Sequence, residues 1–270
     1  MSLKVKDITK ILEEYAPLRL KESYDNVGLM IGDPNCEITS ILIALDCTMK
    51  VINEAYKNGC NFILTHHPLL FKKPSSITTE SLQGKKIIEI IKNNINLYSS
   101  HTNLDSTKDG INDLVMKLLN LNNYEIIEVN RENFQYGEAG IGRIAILDSN
   151  ITLAELCEKV KETFEVSSLR YSGDDSQIIK KVAVINGSGN DFLMKAKSLG
   201  ADCIITGDTT YHYVSDLQEE GISIIDPGHF ETEWPAMKVV AKWLENRIKS
   251  MGYSNDIIIS KDTVSPYKYK

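Results

Sequence analysis

Short apolar runs alternate along the chain with longer segments whose apolar residues recur at helical spacing. We predict strands at 41–45, 62–64, 95–98, 141–147, 182–185, 203–205 and 222–225, and a short one at 257–259. We predict helices at 49–57, 82–92, 153–164, 192–198 and 235–249, and a first helix that begins at Asp7 or Thr9. The polar segment 131–140 predicts a loop, and the C-terminal end is expected to be mobile. This alternation favours an α/β fold.

The pattern also contains an internal repeat. Segment 41–65 aligns without gaps onto 182–206, so that Gly59 corresponds to Gly200 and Thr65 to Thr206. Each copy is predicted to form a strand, a helix, a glycine turn and a strand, and a further strand follows in each. Either the segment was duplicated, or two βαβ units resemble each other because they share the same physics. Both explanations predict two related α/β halves with a cleft between them.

Composition and charge narrow the class of protein. The net charge of the 270-residue chain is −7 and no basic stripe is present, so nucleic acid is an unlikely partner. We find no apolar stretch long enough to span a membrane and no apolar core of a signal peptide, so we expect a cytoplasmic protein. The five cysteines are odd in number and lack Cys-x-x-Cys spacing, which predicts buried thiols rather than a thiolate metal site.

The five histidines are the main candidates for chemistry. Four of them directly follow predicted strands, where ligand sites of open α/β sheets gather. His66 and His67 end one such run and precede Pro68, which stops the strand. Because adjacent residues on a strand point to opposite sides, the pair could fork toward two ions that lie close together. The alternative is a chance histidine pair on a surface loop.

Two further clusters carry carboxylates. His101 and Asp105 follow the strand at 95–98, although Asp105 could instead cap a helix. His229 and Glu233 are spaced i, i+4, which places both on one face of a helix and directs Glu231 elsewhere. The alternative there is a helix cap with a surface carboxylate.

Together these clusters form a nitrogen and oxygen ligand set without sulfur. Such a set suits zinc, iron, manganese, cobalt or nickel. A carboxylate can bridge two ions, and paired divalent ions are a common hydrolytic device. The sequence therefore predicts a pair of divalent metal ions.

Two other motifs permit alternative interpretations. Asn186-Gly-Ser-Gly-Asn-Asp191 has two glycines of a dinucleotide-binding fingerprint, but Phe192 stands where the third is expected. A tight turn is favoured, although backbone amides of the Gly187-Ser188-Gly189 loop could hold an anion. His212 could act as an acid, a base or a substrate contact, or it could be structural.

In combination, these motifs resemble the GTP cyclohydrolase I type 2 homologue family, also called NGG-interacting-factor-like or Nif-like dinuclear metal proteins. The matching segments are Tyr24-Asp-Asn-Val-Gly-Leu-Met-Ile-Gly-Asp33, Ala44-Leu-Asp-Cys-Thr48, Thr65-His-His-Pro68, His101-Thr-Asn-Leu-Asp105, Thr206-Gly-Asp208 with Tyr211-His212, and Gly228-His-Phe-Glu-Thr-Glu233. Tyr24 replaces the tryptophan expected there. The chain is too short for the inserted domain that some members carry.

The resemblance implies metal ligands at His66, His67, Asp105, His229 and Glu233. It makes His101 an additional ligand or a residue close to the metals. His101 and His212 are the two catalytic candidates. It also implies two α/β domains with mixed sheets flanked by helices, metals in the cleft, and a homohexamer. We assign the first domain to 1–125 plus 229–270 and the second to 126–228.

Two functions agree with these features. The first is a metal-dependent hydrolase with an unknown small-molecule substrate; GTP is implied by the family label alone. The second is a non-catalytic protein that stores or delivers metal, or a ring-shaped scaffold for partner proteins. A catalytic centre needs an open coordination position, whereas a structural one is closed.

Overall fold

The computed structural model describes residues 2–130 and 138–268. Most of the predicted loop at 131–140 and the last two residues of the predicted mobile end lie outside these ranges. The strands are β1 (Gly28–Ile31), β2 (Ser40–Ala44), β3 (Phe62–Thr65), β4 (Asn96–Ser99), β5 (Tyr124–Val129), β6 (Gly140–Thr152), β7 (Arg170–Ser172), β8 (Ile178–Ser188), β9 (Cys203–Gly207), β10 (Ser223–Asp226) and β11 (Asp256–Ile259). The helices are α1 (Val5–Tyr15), α2 (Met49–Lys57), α3 (Leu82–Lys92), α4 (Thr102–Ser106), α5 (Ile111–Leu118), α6 (Leu153–Phe164), α7 (Leu193–Ser198), α8 (Tyr211–Glu219) and α9 (His229–Ser250).

The chain divides into two compact units. The first comprises Met1–Leu104 and Met237–Val264, and the second comprises Asp105–Ala236 and Ser265–Lys270. The first unit has a five-stranded sheet in the order β1-β4-β3-β2-β11, and the second has a six-stranded sheet in the order β5-β6-β8-β9-β10-β7. Both sheets are mixed and flanked by helices, which confirms the predicted α/β fold class. The predicted domain boundaries at 125 and 228 stay a prediction.

The strands at the centre of the first sheet are parallel and are buried on both faces. Every residue of β3 and β4 is buried, and a helix covers each crossover. Thr48 and Ser81 cap α2 and α3 by accepting hydrogen bonds from the amides of Val51 and Gly84. These caps explain why both helices begin where the sequence predicts.

The second sheet repeats four strands of the first. Its order β7-β10-β9-β8 matches β1-β4-β3-β2, and the outer strand of each series is antiparallel to its neighbour. Ile41 pairs with Phe62, and the corresponding Val182 pairs with Cys203. The predicted repeat therefore extends from sequence to strand order and register.

Smaller details of the two copies also agree. Asn61 Oδ1 accepts a hydrogen bond from the Thr39 amide at 2.9 Å, and Asp202 Oδ2 accepts one from the Lys180 amide at 2.9 Å. In each copy, this side chain lies just before the second of the two parallel strands. It accepts a hydrogen bond from a backbone amide near the start of the first of them. The two strand starts are thus held in register by the same device.

The last helix differs from its prediction. It begins at His229 rather than at Pro235, so the proline lies in its second turn. Proline there cannot donate the backbone hydrogen bond to the carbonyl of Glu231, but the helix continues past it. The sequence also missed β1, β5, β7, α4, α5 and α8. Across 2–130 and 138–268, no helix is long and apolar enough to cross a membrane.

Candidate metal centre

Three histidines converge in the first unit, at the carboxyl ends of β3 and β4. His66 and His67 follow β3, and His101 follows β4. Their ring centroids lie 5.1–5.6 Å apart, and one nitrogen of each lies within 4.8 Å of the others. Because β3 ends at Thr65, strand alternation does not keep His66 and His67 on opposite sides. This three-histidine group could hold a metal ion.

Each ring of this group is fixed through its Nδ1 atom. His66 Nδ1 lies 2.8 Å from the carbonyl oxygen of Ser100, and His67 Nδ1 lies 2.9 Å from Asp46 Oδ1. His101 Nδ1 lies 2.9 Å from Asp25 Oδ1. A carbonyl accepts only, and so does a carboxylate, so each Nδ1 carries the proton and each Nε2 can offer a lone pair.

Asp25 is itself held firmly. Its side chain is buried and accepts hydrogen bonds from the Thr102 amide at 3.1 Å and the Thr102 hydroxyl at 2.5 Å. Burial tends to raise the pKa of Asp25, but hydrogen bonds from His101 and Thr102 outweigh burial and hold that pKa below its usual range. Asp25 is therefore a charged anchor for His101.

The second unit presents a histidine and a buried carboxylate. His229 and Glu233 lie one turn apart at the start of α9, and His229 Nε2 is 3.2 Å from Glu233 Oε2. His229 Nδ1 lies 2.8 Å from Asp208 Oδ2. Both ring nitrogens thus face carboxylate oxygens, although a neutral imidazole has one N–H. Nε2 and Oε2 are therefore close enough to share a proton, carried by either side chain, or a cation.

Asn186 lies within hydrogen-bond distance of both carboxylates that are predicted as metal ligands, Asp105 and Glu233. Its Nδ2 donates to Asp105 Oδ1 at 2.9 Å and lies 3.4 Å from Glu233 Oε1. Both carboxylates are buried. Buried carboxylates are costly unless a positive charge compensates them, and a metal ion supplies such a charge. Asp105 lies inside α4 rather than at its N-cap, so the capping alternative is excluded.

The Gly187-Ser188-Gly189 loop lies against His229 and Glu233. Gly187 has a φ of +62°, and a Cβ there would overlap the Glu233 carboxylate and lie 3.3 Å from His229 Nε2. Its amide donates to the Thr232 hydroxyl at 2.9 Å, and the Gly189 amide donates to the Thr206 hydroxyl at 3.0 Å. Since both glycine amides are already engaged, they are not available to an anion, and the loop packs closely against Glu233.

The remaining candidate is His212. His212 is exposed on α8, and its ring contacts Tyr211 at a centroid distance of 5.4 Å. Sequence reasoning gave no role to the side chains that anchor or join the ligands: Asp25, Asp46, Asn186 and Asp208. Two of these four residues could have been identified from the sequence. Asp46 and Asp208 follow predicted parallel strands, where ligand sites gather.

Comparison with known proteins finds relatives over the whole chain. The family model described as Duf34/NIF3 (NGG1p interacting factor 3) matches residues 3–266. The chain is 56% identical over 270 residues to the GTP cyclohydrolase 1 type 2 homolog of Clostridium acetobutylicum, and the match covers 100% of both chains.

Solved structures show the same likeness. A Staphylococcus aureus hypothetical protein, SA1388, matches with a TM-score of 0.90 and 31% identity, covering 100% of both chains. The Bacillus cereus protein related to NIF3 matches with a TM-score of 0.93 and 26% identity, covering 100% of this chain and 99% of the other.

Proposed function

Since the chain belongs to the Duf34/NIF3 family, we propose that it is a metal-dependent hydrolase that holds two divalent ions. The proposed ligands are His66, His67, Asp105, His229 and Glu233. His101 is either a further ligand or a neighbour that shapes the centre.

The observation that carries this proposal is the common anchoring of four imidazoles. His66, His67, His101 and His229 each turn Nδ1 toward an oxygen acceptor at 2.8–2.9 Å. This arrangement fixes the tautomer and orientation of metal-binding histidines and raises their basicity. A surface loop with chance histidines has no reason to fix four rings in the same way.

The contact between His229 and Glu233 also suits a metal ion. Bonds of about 2.0–2.2 Å from one ion to nitrogen and oxygen, at angles of about 90–110°, leave the two ligand atoms about 2.8–3.6 Å apart. The distance of 3.2 Å from His229 Nε2 to Glu233 Oε2 lies within that range.

The donor chemistry favours zinc, iron, manganese, cobalt or nickel. Cys47 and Cys203 are unsuitable donors, because burial raises the pKa of the Cys47 thiol to about 12 and that of the Cys203 thiol well above its usual value. Both thiols therefore remain protonated at neutral pH.

Divalent ions in such a centre supply Lewis-acid activation of water and of the bond to be cleaved. The protein's own contribution is to hold the ligands still. Asp25, Asp46 and Asp208 fix the rings of His101, His67 and His229, and Asn186 fixes the carboxylates. The name of the Clostridium relative makes a nucleotide one substrate class to test.

We expect protein purified without chelator, and reloaded with its own metal, to hydrolyse a member of a panel of phosphoesters, nucleotides and amides. Chelation should abolish turnover, and returning the metal should restore it. Metal-loaded protein that turns over no class in the panel would contradict the hydrolase and favour the non-catalytic alternative.

A further inference from the structure

Two exposed aromatic rings lie beside the three-histidine group in the first unit. Tyr24 is 64% exposed and Phe71 is 44% exposed, although large apolar rings are usually more buried. Their centroids are 6.3 Å apart with an interplanar angle of 60°, so the rings form an open corner and do not cover each other's faces. Phe71 also lies 6.4 Å from the ring of His101.

The segments that carry these rings are fastened to the histidine anchors. Asn26 Nδ2 donates to the carbonyl oxygen of Leu70 at 2.7 Å, which ties the loop of Tyr24 to the segment of Phe71. The Glu22 amide donates to the Thr102 hydroxyl at 2.9 Å. Asp25, next to Tyr24, holds His101. The corner is therefore built into the same loop that positions a histidine of the candidate centre.

We propose that Tyr24 and Phe71 form a stacking platform that places a planar heteroaromatic ring of nucleobase size beside the three-histidine group. A ring laid on one aromatic face contacts the edge of the other, which is a favourable aromatic geometry. Stacking binds the face of the ring and leaves its edge, with nitrogen and oxygen atoms, open to the centre. The inference rests on the proposed function, because it gives that centre a substrate class.

The test uses inosine as the probe and ribose as the control that lacks a base. Binding is followed by ligand-observed NMR titration of the full-length, metal-loaded protein, and metal content is measured on the same samples. We expect inosine to bind and ribose not to bind. Replacing one stacking ring should weaken inosine binding by about five- to a hundredfold.

Four variants separate stacking from structure. Tyr24→Ala and Phe71→Leu should weaken inosine binding, whereas Tyr24→Phe keeps a ring and should bind like the wild type. Tyr56→Ala is the matched control, since Tyr56 is also 64% exposed in the same unit but lies on α2. All four should keep their metal, because Tyr24, Phe71 and Tyr56 are not among the proposed ligands.

Equal inosine affinity in Tyr24→Ala, Phe71→Leu and the wild type would overturn the platform. The platform would also be overturned if metal-loaded wild-type protein failed to bind millimolar inosine. A Tyr24→Ala variant that differed from the wild type only in its oligomeric mass would overturn it as well. Wild-type protein without metal would instead contradict the proposed function, and that outcome is read from the metal analysis alone.

Discussion

Replacing Glu233 with glutamine is expected to remove most of the bound metal, whereas Glu231→Gln keeps it. Glu233 is 3% exposed, and its oxygens face His229 Nε2 at 3.2 Å and Asn186 Nδ2 at 3.4 Å. Glutamine has nearly the same shape, but it removes the negative charge and one oxygen ligand. Losing an outer partner of a metal ligand alone weakens metal binding by about 10–100-fold, so losing a ligand should cost at least as much.

Glu231 is the matched control because it is a carboxylate of the same helical turn. Its side chain lies against Gly228. Metal content by plasma mass spectrometry and folding by circular dichroism should be measured on both variants. If the two retain equal metal while both stay folded, Glu233 is not a ligand, and the proposed ligand set must be abandoned.

Gly187→Ala is expected to lose metal for a different reason. The added Cβ has no room beside the Glu233 carboxylate, and Glu233 cannot withdraw without leaving His229 and Asn186. The positive φ adds strain of about 1–2 kcal/mol, as at any such position. We therefore expect a lower free energy of unfolding together with weakened metal binding.

Gly200→Ala separates these two effects. Gly200 has a φ of +81°, but no heavy atom lies within 4 Å of an added Cβ. This variant should lose about 1–2 kcal/mol in urea unfolding and keep its metal. A Gly187→Ala protein that binds metal as well as Gly200→Ala does would show that the loop does not support Glu233.

Local signals made much of the fold predictable. The bounds of α2, α3 and α6 were predicted correctly, because a threonine or serine caps each start: Thr48, Ser81 and Thr152. The parallel strands were found because burial on both faces leaves a continuous apolar run. The helix α8 was missed because it buries only Leu217, which leaves little apolar periodicity to detect.

The same contrast applies to the candidate centre. Histidines after strands and the i, i+4 pair of His229 and Glu233 are visible in sequence. The anchors are not, because Asp25 lies 76 residues from His101 and the two meet only through tertiary folding. Likewise, Asn186 lies 81 residues from Asp105, and the small size of Gly187 acquires meaning only beside Glu233.

The most direct test of the metal centre is the metal content of wild-type protein purified gently without chelator or affinity metal. Plasma mass spectrometry, normalised by amino-acid analysis, should find close to two divalent ions per chain. These would belong to the zinc, iron, manganese, cobalt or nickel group that nitrogen and oxygen ligands favour. A content near zero, in protein that is folded and has not met a chelator, would contradict the centre proposed for this chain.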